Sequence, residues 1–171
     1  ESGTMIKEVN VVEREISVTG VASDENCAKI TLVGILTDVS VLHNVFSSLA
    51  AENVNVDMIV QAGTATPTAD LTFTVTREEL DTALDIIAKI QGDQDWGVIC
   101  DENVAKVSIV GAGMMTNPGV AARMFEALNE ESIPVFVVST SEIKVSCLVP
   151  RPRYQDAVKA CHRKFELGTV N

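Results

Sequence analysis

Basic charge is scarce in this chain: 13 lysines and arginines stand against 24 aspartates and glutamates, a formal net charge of −11 at pH 7. Gripping a phosphate backbone takes a basic face that releases counterions, so no nucleic-acid partner is expected. Long apolar runs are missing too. None reaches the ~20 residues that cross a bilayer, and no charged leader precedes an apolar stretch, so the chain is expected to be soluble and cytoplasmic, with no membrane partner. The four cysteines, Cys27, Cys100, Cys147 and Cys161, form no short pair. That spacing excludes a zinc knuckle or a redox motif and leaves free, buried thiols as the expectation. His43 and His162 have no carboxylate or cysteine at useful spacing, and no nucleophile and base stand together. No glycine-rich phosphate loop with a lysine opens a helix, and "GAGMM" lacks the third glycine and the acidic residue of a dinucleotide site.

Hydrophobic side chains, by contrast, are plentiful. At 171 residues and 46% hydrophobic, the chain can bury roughly 70% of its unfolded surface, enough for one domain or two small ones. Its main feature is an internal repeat. "AKITLVGILTDVSVLHNVFSSLAAENVNVDMIV" (28–60) and "AKVSIVGAGMMTNPGVAARMFEALNEESIPVFVV" (105–138) run in the same order: Ala-Lys, an alternating apolar strand, glycine, a turn, a helix and a second apolar strand. Ala28, Lys29 and Gly34 correspond to Ala105, Lys106 and Gly111. Phe46 and Leu49 correspond to Phe125 and Leu128 after two extra residues in the second turn.

Periodicity fills in each copy. Ile30, Leu32 and Gly34 alternate as a strand, and Val41, Val45, Phe46 and Leu49 recur at helical spacing. Two β-branched runs, Val54 to Val60 and Leu71 to Val75, flank the loop "QAGTATPTAD" and predict a hairpin. Thr76 and Glu79 form a Thr-x-x-Glu signal ahead of Leu80, Ala83, Leu84 and Ile87, predicting a second helix, and "WGVIC" (96–100) supplies a closing strand. The order β-α-β-β-α-β lays two helices on one face of a four-stranded antiparallel sheet, an α+β fold. The second copy offers strands near 134–138 and 143–149 and a helix from Arg153 to Lys164, but no fourth strand. "REISVTGVA" (14–22) is expected to complete its sheet, so that residues 24–102 form one unit inserted within another made of 14–23 plus 103–167.

"GAGMMTNPGVAARMFEAL" (111–128) then raises the question of binding. A strand ending in glycines runs through Thr116-Asn117-Pro118-Gly119 into a helix, which sets backbone N–H groups where they can hold an anion. An ordinary capped turn reads the same way. Met114 and Met115 read as gap-fillers.

Taken together, "VTGVASDENCAKITLVGI", "NVNVDMIVQ", "AKVSIVGAGM", "NPGVAARMFEAL" and "VSTSEIKVS" resemble the paired ACT domains of aspartate kinase, over about residues 14–167. The resemblance implies two ferredoxin-like ACT domains forming the regulatory region of an enzyme that phosphorylates aspartate at the head of lysine, threonine and methionine synthesis. It further implies lysine and/or threonine as feedback effectors, a homodimer through the ACT domains, and a separate or preceding kinase catalytic domain or subunit that alone uses ATP and magnesium. No catalytic residue and no cofactor are expected in this chain. "ESGTMIKEV" resembles the tail that leaves the kinase domain.

An amino-acid effector needs N–H donors for its carboxylate and oxygen acceptors for its ammonium. In the first copy the donors are expected around Thr37, Asp38, Ser40 and Val41, with acceptors from Asn55, Val56, Asp57 and Gln61. In the second, donors are expected at Asn117, Gly119, Val120 and Ala121, with Ser139, Ser141 and Glu142 facing them. Where the family commonly reads Asp-Lys-Pro-Gly, this chain has Thr37-Asp38-Val39-Ser40, which moves the acidic contact to Thr37 or Asp38. Phe136 takes the place of a common carboxylate, so the first copy is expected to hold the ligand, with Phe136 filling the second pocket. The alternative is a structural dimerisation module without a ligand, in which Asp57 and Gln61 are plain surface residues.

Overall fold

The computed structural model describes residues 18–63, 67–112, 114 and 119–168. Their elements run β1 (Gly20–Leu36), α1 (Val39–Ala51), β2 (Ile59–Gly63), β3 (Thr68–Val75), α2 (Leu80–Gln91), β4 (Gly97–Val110), α3 (Val120–Glu130), β5 (Val137–Thr140), β6 (Lys144–Pro150) and α4 (Tyr154–Lys164). A 3-10 turn at Arg151–Arg153 leads into α4. All the strands join one antiparallel sheet in the order β2-β3-β1-β4-β6-β5.

The repeat builds this sheet through two long shared strands. Sequence spacing separates 14–22 from the strand at Ile30, and 96–100 from the strand after Ala105. The structure instead runs Gly20–Leu36 and Gly97–Val110 as continuous strands, with 14–17 outside the described residues. The polar triplets Asp24-Glu25-Asn26 and Asp101-Glu102-Asn103 look like turn punctuation but are irregularities in the ladder. Asn26 N–H donates to Asp24 Oδ1 and Asn103 N–H to Asp101 Oδ1, each at 2.9 Å. The β1–β4 register slips at Asp24/Cys27 and is restored at Cys27/Lys29. Such paired bulges bend two strands without ending them.

Near one end of the sheet Lys29–Val33 of β1 pair with Gly97–Asp101 of β4, beside β3 and β2. Near the other, Gly20–Asp24 pair with Lys106–Val110, beside β6 and β5. Each end therefore shows the split β-α-β-β-α-β strand order, and the two units hold β1 and β4 in common.

Two cores lie under the helices. The first joins Ile30, Leu32, Leu71 and Phe73 of the sheet to Val45, Leu49, Ala83 and Ile87 of α1 and α2; the second joins Val107, Ile109, Cys147 and Val149 to Met124, Leu128, Ala157 and Cys161 of α3 and α4. Because strand side chains alternate, Cys27 points away from Ala28, and Leu148 away from Cys147 and Val149. On that opposite face Cys27, Met58, Val104 and Leu148 form a third, small cluster where the units meet.

Helix ends follow local rules. α1 and α3 stop at Asn53 and Ser132, both in the left-handed region (φ 57° and 52°). The next residues, Val54 and Ile133, donate back to Leu49 and Leu128 at 3.0 and 2.9 Å, closing both ends alike. The Thr76-x-x-Glu79 signal is realised as a turn ahead of α2: Thr76 hydroxyl donates to Glu79 Oε2 at 2.7 Å, and the helix begins at Leu80. β2 starts at Ile59, later than the run from Val54, since the chain leaving Asn53 first buries Val54 in the first core.

Candidate ligand site

In the first unit, β1 hands over to α1 through Thr37 and Asp38. Thr37 is tied to the β2–β3 loop, its N–H and its hydroxyl donating to Pro67 O at 2.9 and 3.1 Å. Asp38 is the N-cap of α1 and accepts the Ser40 N–H at 2.8 Å. That backbone N–H, with the Ser40 hydroxyl, holds the exposed Asp38 carboxyl below the usual carboxylate range. Val41 N–H donates to Asp38 O at 3.0 Å, and its side chain packs on the first core. The two amides expected as anion donors are therefore already engaged by Asp38. An incoming carboxylate reaches the Ser40 N–H by replacing the Asp38 side chain there.

The expected acceptors divide. Gln61 lies exposed in β2 opposite Leu71, two residues from Gly63, which pairs with Ala69 next to the Thr37 turn. Asn55, Val56 and Asp57 lie at the other end of that strand. Asp57 and Gly63 are separated by roughly 20 Å of extended chain at ~3.3 Å per residue. Asn55 N–H donates to Glu79 Oε1 at 3.2 Å, and the Thr76 hydroxyl is the main cause holding the Glu79 carboxyl below its usual range. Val56 packs on the first core, and the Asp57 carboxylate pairs with Lys106 of the second unit. The structure brings Thr37, Asp38, Ser40, Val41 and Gln61 to one end of the unit, ties the Asn55 backbone to Glu79 of the same unit and leaves Asp57 at the seam between units.

The second unit opens its helix differently. Gly119, at φ 99°, is the N-cap of α3 and has no side chain to close the turn; a side chain at that φ would be strained. Val120 is buried in the second core and Ala121 packs against it. Asn117 lies outside the described residues. Gly111 N–H donates to Ile143 O at 2.9 Å, which brings the β5–β6 hairpin to the end of β4 that leads to α3. In that hairpin Ser139 pairs with Ser146, Ser141 N–H donates to Lys144 O at 2.7 Å, and Glu142 is exposed. Phe136 does not fill a pocket here. It is 45% exposed, with Lys29 Nζ 5.3 Å from its ring centroid.

Sequence reasoning passed over Lys29 and Lys106 as seam residues. A signal was present, since the repeat extends upstream of Ala-Lys: "DENCAK" in the first copy matches "DENVAK" in the second. Among the described residues no group of three histidines, cysteines, aspartates or glutamates is arranged to hold a metal ion, and no helix is long and apolar enough to cross a membrane.

Comparison with known proteins agrees with this fold. The family model for the ACT domain matches twice, over residues 30–90 and 107–165. An aspartokinase of Bacillus sp. (strain MGA3) is 39% identical over 169 residues, 98% of this chain but 41% of the relative, so the chain spans about two fifths of the curated relatives it matches. The ligand-free regulatory subunit of aspartate kinase from Thermus thermophilus superposes with a TM-score of 0.82 at 33% identity, over 87% of this chain and 99% of that one. A chain of a crystal structure of aspartokinase alpha and beta subunits gives 0.80 at 38%, over 88% and 99%. The chain belongs to the ACT-domain family, as a tandem regulatory region of the aspartokinase type.

Proposed function

We propose that this region senses an amino acid, lysine and/or threonine, and biases an aspartate kinase catalytic domain or subunit between active and inhibited states. The observation that carries the reading is the paired helix start. Each unit follows a central strand with a helix, opened at Asp38 for α1 and at Gly119 for α3, and the β5–β6 hairpin is bonded to Gly111 at the end of β4. In the first unit the effector carboxylate takes the Ser40 N–H from Asp38, with Thr37, Val41 and Gln61 lining the site. In the second, the proposed donors are the amides of Gly119 to Ala121 and the proposed acceptors Ser139, Ser141 and Glu142. The regulatory energy is limited to the ligand's differential affinity for the two kinase states, typically ~1–3 kcal/mol.

Titration calorimetry of the 171-residue chain with lysine, threonine and methionine tests this. Heat at micromolar to millimolar ligand supports it. Silence with all three leaves the second reading, a dimerisation module, which is favoured by the Ser40 amide being closed by Asp38. Under either reading we propose a cytoplasmic homodimer, because β2 and β5 are sheet edges whose outer N–H and C=O groups can be met by a second copy. Light scattering that gives a monomer at tens of micromolar overturns the dimer. We further propose the unit boundaries 24–102 and 14–23 plus 103–167, joined to a kinase domain through 1–13.

A further inference from the structure

The seam between the units carries a duplicated clasp whose halves have diverged. Its centre is the facing pair Cys27 and Val104, equivalent residues of the two repeats. On one side Lys106 stands opposite Asp24 on the neighbouring strand, with Nζ 3.7 Å from its carboxylate, and reaches on to ion-pair with Asp57 at the entry to β2. On the other side Lys29 stands opposite Asp101 and reaches on to the Phe136 ring at the entry to β5. Asp57 and Phe136 are equivalent positions, separated by the same interval as Phe46 and Phe125. Each lysine of one unit thus grips the second strand of the other, once through an ion pair and once through a cation–π contact.

We propose that the Lys106–Asp57 half is the releasable one, a latch whose opening loosens the second unit's hold on the entry to β2, leaving it to Met58 in the seam cluster, while Lys29 and Phe136 keep β5 in place. Asp57 is half exposed, with 50% of its side chain open to solvent. A pair so placed is screened by salt and holds weakly. The Lys29 contact is with an uncharged ring and has no second ion to screen. What the latch adds to is a hold that Met58 already makes, buried against Val104 and Leu148 in the seam cluster, with its carbonyl accepting the Thr74 N–H at 3.1 Å. β2 is an edge strand, and the Asp57 and Met58 amides are tied to Thr74 alone, through its carbonyl at 3.1 Å and its hydroxyl at 3.0 Å. Since β2 also carries Gln61, releasing the latch shifts one wall of the first-unit candidate site. This last consequence rests on the ligand reading above; the latch itself does not.

Amide hydrogen exchange on the full chain without ligand tests the latch. Exchange of the Asp57 and Met58 amides is expected to speed about two- to fivefold in Lys106→Met, the range a partly exposed ion pair supplies. Native protein in 1 M sodium chloride should show the same change, and Lys106→Arg should stay near native. The Phe136 and Val137 amides should respond to Lys29→Met and not to salt. Salt and Lys106→Met leaving β2 unchanged, or loosening both halves equally, overturns the proposal. The salt arm needs no variant to fold, and because no ligand is used, a failed effector titration leaves this result intact.

Discussion

Ser108 and Ser146 face each other across β4 and β6 with their hydroxyl oxygens 2.7 Å apart, both side chains buried. In the first unit Thr31 and Thr72 make the equivalent pair across β1 and β3 at 2.9 Å, only partly buried. A hydroxyl left alone in a buried site loses water without gaining a partner. Ser108→Ala should therefore destabilise the chain by about 1–3 kcal/mol, while Ser108→Ala with Ser146→Ala should cost less than the sum of the single changes. Urea unfolding of the three variants checks this, and strict additivity would contradict the pairing.

The shared strands predict how the chain unfolds. Phe73 is fully buried in the first core and packs edge-on against Phe46, with centroids 5.7 Å apart and rings inclined at 69°. Phe73→Ala should cost about 3–5 kcal/mol, as large cavities in cores do. Because β1 and β4 run through both units, the second core loses its frame with the first. Calorimetry should show one transition moved down as a whole. Two separated transitions, with only one of them shifted, would mean that the units fold independently.

Much of this architecture was legible in the sequence because the repeat states it twice. Alternation at Ile30 and Leu32, helical spacing at Val45 and Leu49 and the Thr76–Glu79 signal each report a local preference that the fold keeps. What escaped was non-local. Asp24-Glu25-Asn26 carries turn chemistry, yet pairing on both sides carries the strand through it as a bulge. Asp57 reads as a ligand group from its residue type and motif, while the sheet carries it to the end occupied by Lys106, a residue 49 positions away. The Ser40 amide reads as a free donor until Asp38 is seen to cap it. Strand register and side-chain competition decide such positions, and neither shows in a linear pattern.

Three thiols give a pH signature. Burial pushes Cys27 and Cys161 up to about 11 and Cys147 up to about 12, from 9.0, while Cys100 is exposed. In native protein at pH 8 a thiol reagent should titrate Cys100 promptly and the others only on unfolding. The folded values lie above the unfolded one, so above pH 9 the folded chain keeps protons that the unfolded chain sheds. Their stabilisation is fully present below about pH 9 and is lost as pH rises toward 11 and 12. The urea midpoint should fall over that window, and less steeply in Cys147→Ala; an equal slope in both would contradict the burial of this thiol.

Asp38 joins stability to the proposed binding step at one side chain. Its carboxylate holds the Ser40 N–H, and its folded pKa lies below the ordinary value of 3.8. A depressed carboxyl contributes stability above its unfolded pKa and loses it as pH falls through the folded one, so the cap should weaken below about pH 4. Asp38→Ala should destabilise α1 at neutral pH and flatten this acid limb; Asp38→Asn, still able to accept the N–H, should keep most of the neutral stability but none of the pH dependence. The same two variants separate the functional readings. If an effector carboxylate has to displace Asp38 from the Ser40 amide, Asp38→Ala removes the competitor, and lysine or threonine should bind the less stable variant more tightly than the native chain. Weaker or unchanged binding in calorimetry would mean that the α1 amides are not the effector's donors, and would move the site to the uncapped turn at Gly119.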